Sequence, residues 1–235
     1  MKMNLNKDGK KRIHFIIREL DKTQNEVNKI SASVQIDEDD QYQRINRAYF
    51  QLFQTHYLSF KLLMKEDHFS SAVVVARTML EIYVRCFYLE FIEQPKGTDV
   101  EMLITQPKDF ASFFQMSTAL DNFEDPDNGD FHKHFKQFTK QGKALYEKYS
   151  TFTHGRGELL NVLFKGKQPV CAYEDIESIL LTLNGMLQVF AMQFLHMNAN
   201  EALKKRLLDR MLKTEETFLN HGIGQPDYYS NLTSW

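Results

Sequence analysis

An arginine, a glutamate and a second arginine (Arg77, Glu81 and Arg85) stand at i, i+4 and i+8 within the segment Ala72–Phe91. The rest of that segment, AVVVARTMLEIYVRCFYLEF, is apolar around most of a helical circumference. Its charges therefore gather into one polar seam on a helix suited to the centre of a bundle. A guanidinium facing a cleft stabilises anionic charge, and a carboxylate one turn away offsets the cost of burying it. The same spacing also describes a solvent-facing strip, whose ion pairs contribute only about 0.2–0.5 kcal/mol each. Val74 and Tyr88 share the side of the seam, which argues for cover rather than simple exposure.

A second segment, Tyr146-Glu-Lys-Tyr149-Ser-Thr-Phe-Thr-His154-Gly-Arg156-Gly157, places a histidine and an arginine among glycines past a helix end. Glycine lets such a turn approach a ligand closely, and histidine titrates near neutral pH. The expectation is that Arg77, Glu81 and His154 converge in one partly buried cluster, with Tyr149 beside it and Arg156 adjoining. A surface turn is the plainer alternative. Other candidates carry less. His56 falls on an apolar stripe and reads as a core histidine, while His132 and His134 point in different directions and make a poor metal pair. Residues 124–130, EDPDNGD, fail as a calcium loop, because placing Gly129 sixth puts Pro126 and Phe135 at ligand positions. The chain lacks zinc-ligand spacing, an H-E-x-x-H helix, a phosphate-cradling glycine loop and a dinucleotide fingerprint. No metal or cofactor is expected.

The elements that must position these residues read as an all-α single domain over residues 1–235, a bundle of six or seven helices. Ten Gly and five Pro interrupt the chain rarely, and helix formers dominate. A first amphipathic helix, from about Asp8 to Val34, is thinly hydrophobic and reads as peripheral to the bundle, within residues 1–36. The acidic run Asp37–Asp40 suits a helix N-terminus, so helix two starts near Asp39 and runs to Lys65. Its inward stripe reads as Tyr49, Leu52, His56, Phe60 and Leu63, and its outward one includes Arg44, Arg47, Gln51, Gln54, Lys61 and Lys65. Helix three follows, capped by Ser70 or Ser71 and reaching Glu93. Residues 98–106 read as irregular, and Pro107 opens a fourth helix to Phe123. A fifth spans Phe131 to Ser150 with Phe135, Phe138, Leu145 and Tyr149 inward. Helix six runs from Tyr173 to Met197, and a basic, solvated helix seven from Asn200 to Asn220. Residues 222–235 form an aromatic tail. Helices three and six, apolar nearly all round, are central.

The formal net charge of −2 supplies no global field for nucleic acid or acidic membranes. The polar start, MKMNLNKDGKKR, has no apolar core of a signal peptide, and no stretch reaches about 18 uninterrupted apolar residues. A cytoplasmic protein without membrane contact is expected. Of the two cysteines, Cys86 sits in an apolar run and reads as a reduced, buried thiol. With 19 Phe and 10 Tyr, the chain carries more large apolar surface than a thin bundle hides, so a homodimer is expected.

The pairing of A-R-T-M-L-E on one helix with Y-E-K-Y-S-T-F-T-H-G after a later one resembles an uncharacterised bacterial all-α family, over roughly residues 45–200. Its signature positions would be Arg77, Glu81, Tyr149 and His154. Members look distantly like the HEPN helical superfamily, whose ribonucleases act as dimers in toxin–antitoxin and anti-phage systems. Those nucleases carry Arg, four to six residues, then His, and no arginine here has a histidine at that spacing. Two readings stay open. One is a non-catalytic helical module, with Arg85 and Tyr149 among its binding residues and a partner protein encoded nearby. The other is a metal-independent ribonuclease acting on RNA, in which Arg77 and Arg156 stabilise phosphate charge and His154, set by Glu81 or Tyr149, moves the proton.

Overall fold

The computed structural model describes residues 7–105, 110–125, 129–131, 133–142, 165, 173–197 and 201–223. Among these the protein is all-α, with seven α-helices: α1 (Lys7–Ala32), α2 (Gln41–Lys65), α3 (Phe69–Tyr88), α4 (Val100–Thr105), α5 (Phe113–Asp121), α6 (Tyr173–Met197) and α7 (Glu201–Leu219). A π-helical turn, Leu89–Glu93, and a 3-10 turn, Gln94–Lys96, extend α3. Further 3-10 turns cover His134–Phe138 and Lys140–Gly142. The acidic loop is closed by a two-residue antiparallel pairing, Glu124 with Asp130 and Asp125 with Gly129.

Local chemistry sets the helix ends. Asp40 caps α2, its carboxylate accepting from the amides of Tyr42 (2.8 Å) and Gln43 (3.2 Å). Glu66, Asp67 and His68 turn the chain into α3, with Asp67 in the left-handed region (φ 61°). The Asp67 carboxylate accepts from Lys10 Nζ at 2.9 Å, which ties this turn to α1. His68, rather than Ser70 or Ser71, occupies the cap position of α3 and makes no side-chain cap bond. Residues 98–106 are not irregular throughout, since α4 lies within them. The helix expected from Pro107 starts instead at Phe113, where Ser112 and Gln115 form a reciprocal capping box. Pro107 itself lies outside the described residues. The fifth helix expected from Phe131 begins as 3-10 turns, and residues 143–150 fall outside those described. Phe135 and Phe138 are fully buried, as expected.

The α2–α3 hairpin, α5 and α6 share the main core, and α1 packs on α6 and α7. Helix α6 is buried at every position from Ile179 to Ala191. Tyr173–His196 is long and apolar enough to cross a membrane, yet 83% of its most apolar window is enclosed by the rest of the chain, as in a central bundle helix. The first helix is not peripheral: Ile13, Ile16, Ile17, Leu20, Val27 and Ile30 are all buried in the main core. The inward face of α2 also differs from the expected stripe. It is Tyr42, Asn46, Phe50, Phe53, Tyr57, Phe60, Lys61 and Met64, while Leu52 stays 44% exposed. Lys61 can face inward because Asp21 on α1 accepts from its Nζ at 2.5 Å and the cation lies 5.0 Å from the Tyr57 ring.

Arg12 joins three helices. Its guanidinium meets both carboxylate oxygens of Glu177 on α6, with Nε to Oε2 at 2.5 Å and Nη2 to Oε1 at 3.0 Å. It also donates to the carbonyls of His221 and Gly222 beyond α7. The bidentate pair holds the arginine above its ordinary pKa. Because Arg12 remains partly exposed, Arg12→Ala is expected to cost about 1–2 kcal/mol. In a thermal melt that is a drop of about 2–8 °C.

Candidate functional site

Helix α3 presents its polar seam along one side. Arg77 Nη2 lies 3.2 Å from Glu81 Oε1, with side chains 21% and 33% exposed. Val74, one turn earlier, is 41% exposed, so the cover expected from that residue is absent. Toward the C-terminal end the seam becomes enclosed. The Arg85 guanidinium lies 5.0 Å from the Phe110 ring and donates toward the Tyr49 hydroxyl of α2. Burial raises the Tyr49 hydroxyl above its ordinary pKa, and Arg85 acts against that rise. Arg85 Nε is buried without a partner. Tyr88 is half-buried against Glu93; burial first, then that carboxylate, push its hydroxyl up to about 12.

Beside Arg85, a second polar chain runs between α3 and α2. The Cys86 thiol donates to Asn46 Oδ1 (2.9 Å), and Asn46 Nδ2 donates to Glu90 Oε2 (2.5 Å). With its amide turned nitrogen-inward, Gln94 donates to Glu90 Oε1 at 3.0 Å. Asn46 is almost wholly enclosed. Burial pushes the Glu90 carboxyl up to about 7, against the Asn46 hydrogen bond, and the negative charge of Asp40 adds to the rise. Burial also raises the Cys86 thiol, so it stays protonated and serves as a donor rather than a nucleophile. The turn after α3 is held from several sides. Glu93 accepts from Lys96 Nζ (2.8 Å) and Thr98 Oγ1 (2.7 Å), and the Tyr42 hydroxyl donates to the Thr98 carbonyl (2.7 Å). Gly97, at φ 68°, closes it.

A third feature sits at the other face of α3. His134 Nε2 is 2.8 Å from the Tyr83 hydroxyl, and its ring lies edge-on to Tyr83, Phe135 and Phe138. Burial among these rings pushes its pKa down to about 4, so the imidazole is neutral near pH 7. Lys133, at φ 61°, precedes it.

The structure thus brings Arg77 and Glu81 together and gives Arg85 a different set of neighbours. Tyr149, His154 and Arg156 lie outside the described residues, and so does any meeting of His154 with Arg77. Sequence reasoning missed Asn46 and Glu90 as a polar chain with Cys86, missed Tyr49 as the partner of Arg85, and set His134 aside. The available signal was Glu90 itself, a carboxylate one turn after Cys86 in an apolar run. Among the described residues no group of three or more His, Cys, Asp or Glu side chains is arranged to hold a metal ion. Because the Arg77–Glu81 pair is only part-buried, Glu81→Ala is expected to cost about 1 kcal/mol by urea unfolding, well under the 3–5 kcal/mol of a fully buried pair. Comparisons with protein-family models, curated proteins and solved structures find no match.

Proposed function

We propose that the protein is a non-catalytic helical module that binds a protein partner through the outer face of α2. One observation carries this reading. From Ala48 to Leu62 the exposed positions of α2 are Ala48, Gln51, Leu52, Thr55, Leu58, Ser59 and Leu62, without a single charge. In a chain with 26% charged residues, that is a long uncharged strip. Leu52, Leu58 and Leu62 are 44%, 53% and 61% exposed. The hydroxyls on the strip are occupied internally, Thr55 donating to the Gln51 carbonyl (2.9 Å) and Ser59 to that of Thr55 (3.1 Å). Apart from the Gln51 amide, the face therefore offers carbon rather than free donors. Depletion of charge with retained apolar side chains is the compositional mark of an interface core.

The polar groups of the candidate site fit the same reading. Arg77 pairs with Glu81 along α3, while Arg85 with Tyr49 and the buried Cys86 donor with Asn46 tie α3 to α2. The ribonuclease alternative depends on His154 and Arg156, and no observation among the described residues adds to it.

A photo-crosslinking amino acid at Leu58, introduced in the native host, is expected to give a defined protein adduct. The same group at Lys29, on the exposed side of α1, is expected to give none. Equal background at both positions removes the reading.

A further inference from the structure

We propose that the partner seated on this face is a second copy of the chain, with α2 packed antiparallel on α2 about a two-fold axis near Thr55–Ser59. This rests on the reading of the α2 face as an interface and names its occupant.

The spacing of the strip points to a helix as its complement. Ala48, Leu52, Thr55, Ser59 and Leu62 follow one another at intervals of four, three, four and three residues, the repeat that keeps a seam facing a partner helix. All five are exposed, so no described residue packs over the seam. Its centre is small, Thr55 and Ser59, and its flanks are Leu52 and Leu62. An antiparallel copy sets Thr55 against Ser59 and Leu52 against Leu62, twice each by symmetry. The small central pair allows close approach while the leucine layers close on either side.

Charge decides the direction. Arg44 stands beyond the N-terminal end of the strip and Glu66 beyond its C-terminal end; both are exposed. Neither forms an ion pair with a described residue. Antiparallel packing brings Arg44 of one copy to about one turn from Glu66 of the other, at both ends. Parallel packing would set Arg44 beside Arg44 and Glu66 beside Glu66, opposing association. An interface of this kind is isologous, each copy offering the same patch. The uncharged strip is about 21 Å long, at about 1.5 Å per residue. A contact of that size belongs to the weak class, so a dissociation constant in the micromolar range is expected.

Light scattering or sedimentation on the full chain, from about 5 to about 200 µM, tests this. The mass is expected to rise from one chain toward two across that range. Leu62→Glu, at a position exposed in the monomer, is expected to keep the circular dichroism spectrum and weaken association at least about tenfold. Arg44→Glu is expected to weaken it as well, and Arg44→Glu with Glu66→Arg to restore it, which a structural defect would not do. A monomer at the highest concentration overturns the proposal. So does a dimer indifferent to Leu62→Glu and to the charge exchange. The crosslinker at Leu58 separates this failure from that of the broader reading. An adduct with the mass of two chains supports the second copy, whereas an adduct with a different protein overturns it and leaves α2 as an interface.

Discussion

Glu90→Gln is expected to stabilise the protein at pH 8 by up to about 3 kcal/mol and to have no effect below pH 4.5. The Glu90 carboxyl sits near 7 in the folded chain against an ordinary value of 4.5, chiefly because burial disfavours its charge. An acid raised by folding binds its proton more tightly in the native state. The associated stability is present in full below the unfolded value and is lost as pH rises through the folded one. At about 1.4 kcal/mol per unit, a shift of this size sets the upper bound. Glutamine keeps the geometry: its oxygen accepts from Asn46, and its amide faces Gln94, whose own amide then turns to offer oxygen. Chemical denaturation at pH 4 and pH 8 measures the effect. An equal effect at both pH values means that the carboxyl does not titrate where its burial places it.

His134 pulls the other way over nearly the same window. Its pKa falls from 6.5 to about 4, so its contribution is present above the unfolded value and lost as pH drops toward 4. Between about pH 4.5 and 6.5 the two groups oppose each other with similar slopes, and the wild-type stability is expected to be nearly flat. Glu90→Gln unmasks a rise with pH, and His134→Asn a fall, whatever His134→Asn costs in packing. Asp21 and Glu93, both lowered by their lysine partners despite burial, lose their contributions below this window.

How far the sequence foretold this architecture varies with the kind of signal. Helix α6 was legible to the residue, because a long, predominantly apolar stretch runs between an acidic first turn and the Met197–Asn200 boundary. The start of α2 was legible to within two residues, from the acids that cap it. Its inward face was not, because α2 carries two apolar stripes, Phe50-Phe53-Tyr57-Phe60-Met64 and the leucines of the opposite side. Periodicity alone cannot say which of two such stripes meets the core. Lys61 reads as outward because the partner that lets it face inward, Asp21, stands on another helix. The same limit hid the Cys86–Asn46–Glu90 chain, whose middle member lies 40 residues from one neighbour and 44 from the other. The Arg77–Glu81 pair was readable because it is local to one helix.

Phe190→Ala is expected to cost about 3–5 kcal/mol, a large share of the 5–15 kcal/mol that holds most domains folded. Phe190 on α6 is 1% exposed. Its ring lies 5.1 Å from Phe50, 5.5 Å from Phe53, 5.9 Å from Tyr83 and 6.0 Å from Phe87, centroid to centroid. These four rings come from α2 and α3, so this one side chain carries much of the contact between the hairpin and the central helix. All four are edge-on or tilted, arrangements that add electrostatic attraction to burial. Truncation leaves a void walled by rings on rigid helices, which cannot collapse to fill it, and the cavity adds to the lost transfer energy. Phe190→Leu, which fills part of the space, is expected to cost about 1–2 kcal/mol. Leu58→Ala, on the exposed face of α2, is expected to change the monomer by less than about 0.5 kcal/mol. Urea unfolding of the three variants, compared at an unchanged m-value, orders these effects. A Phe190→Ala cost near that of Leu58→Ala would mean that α6 does not pack on the α2–α3 hairpin as described.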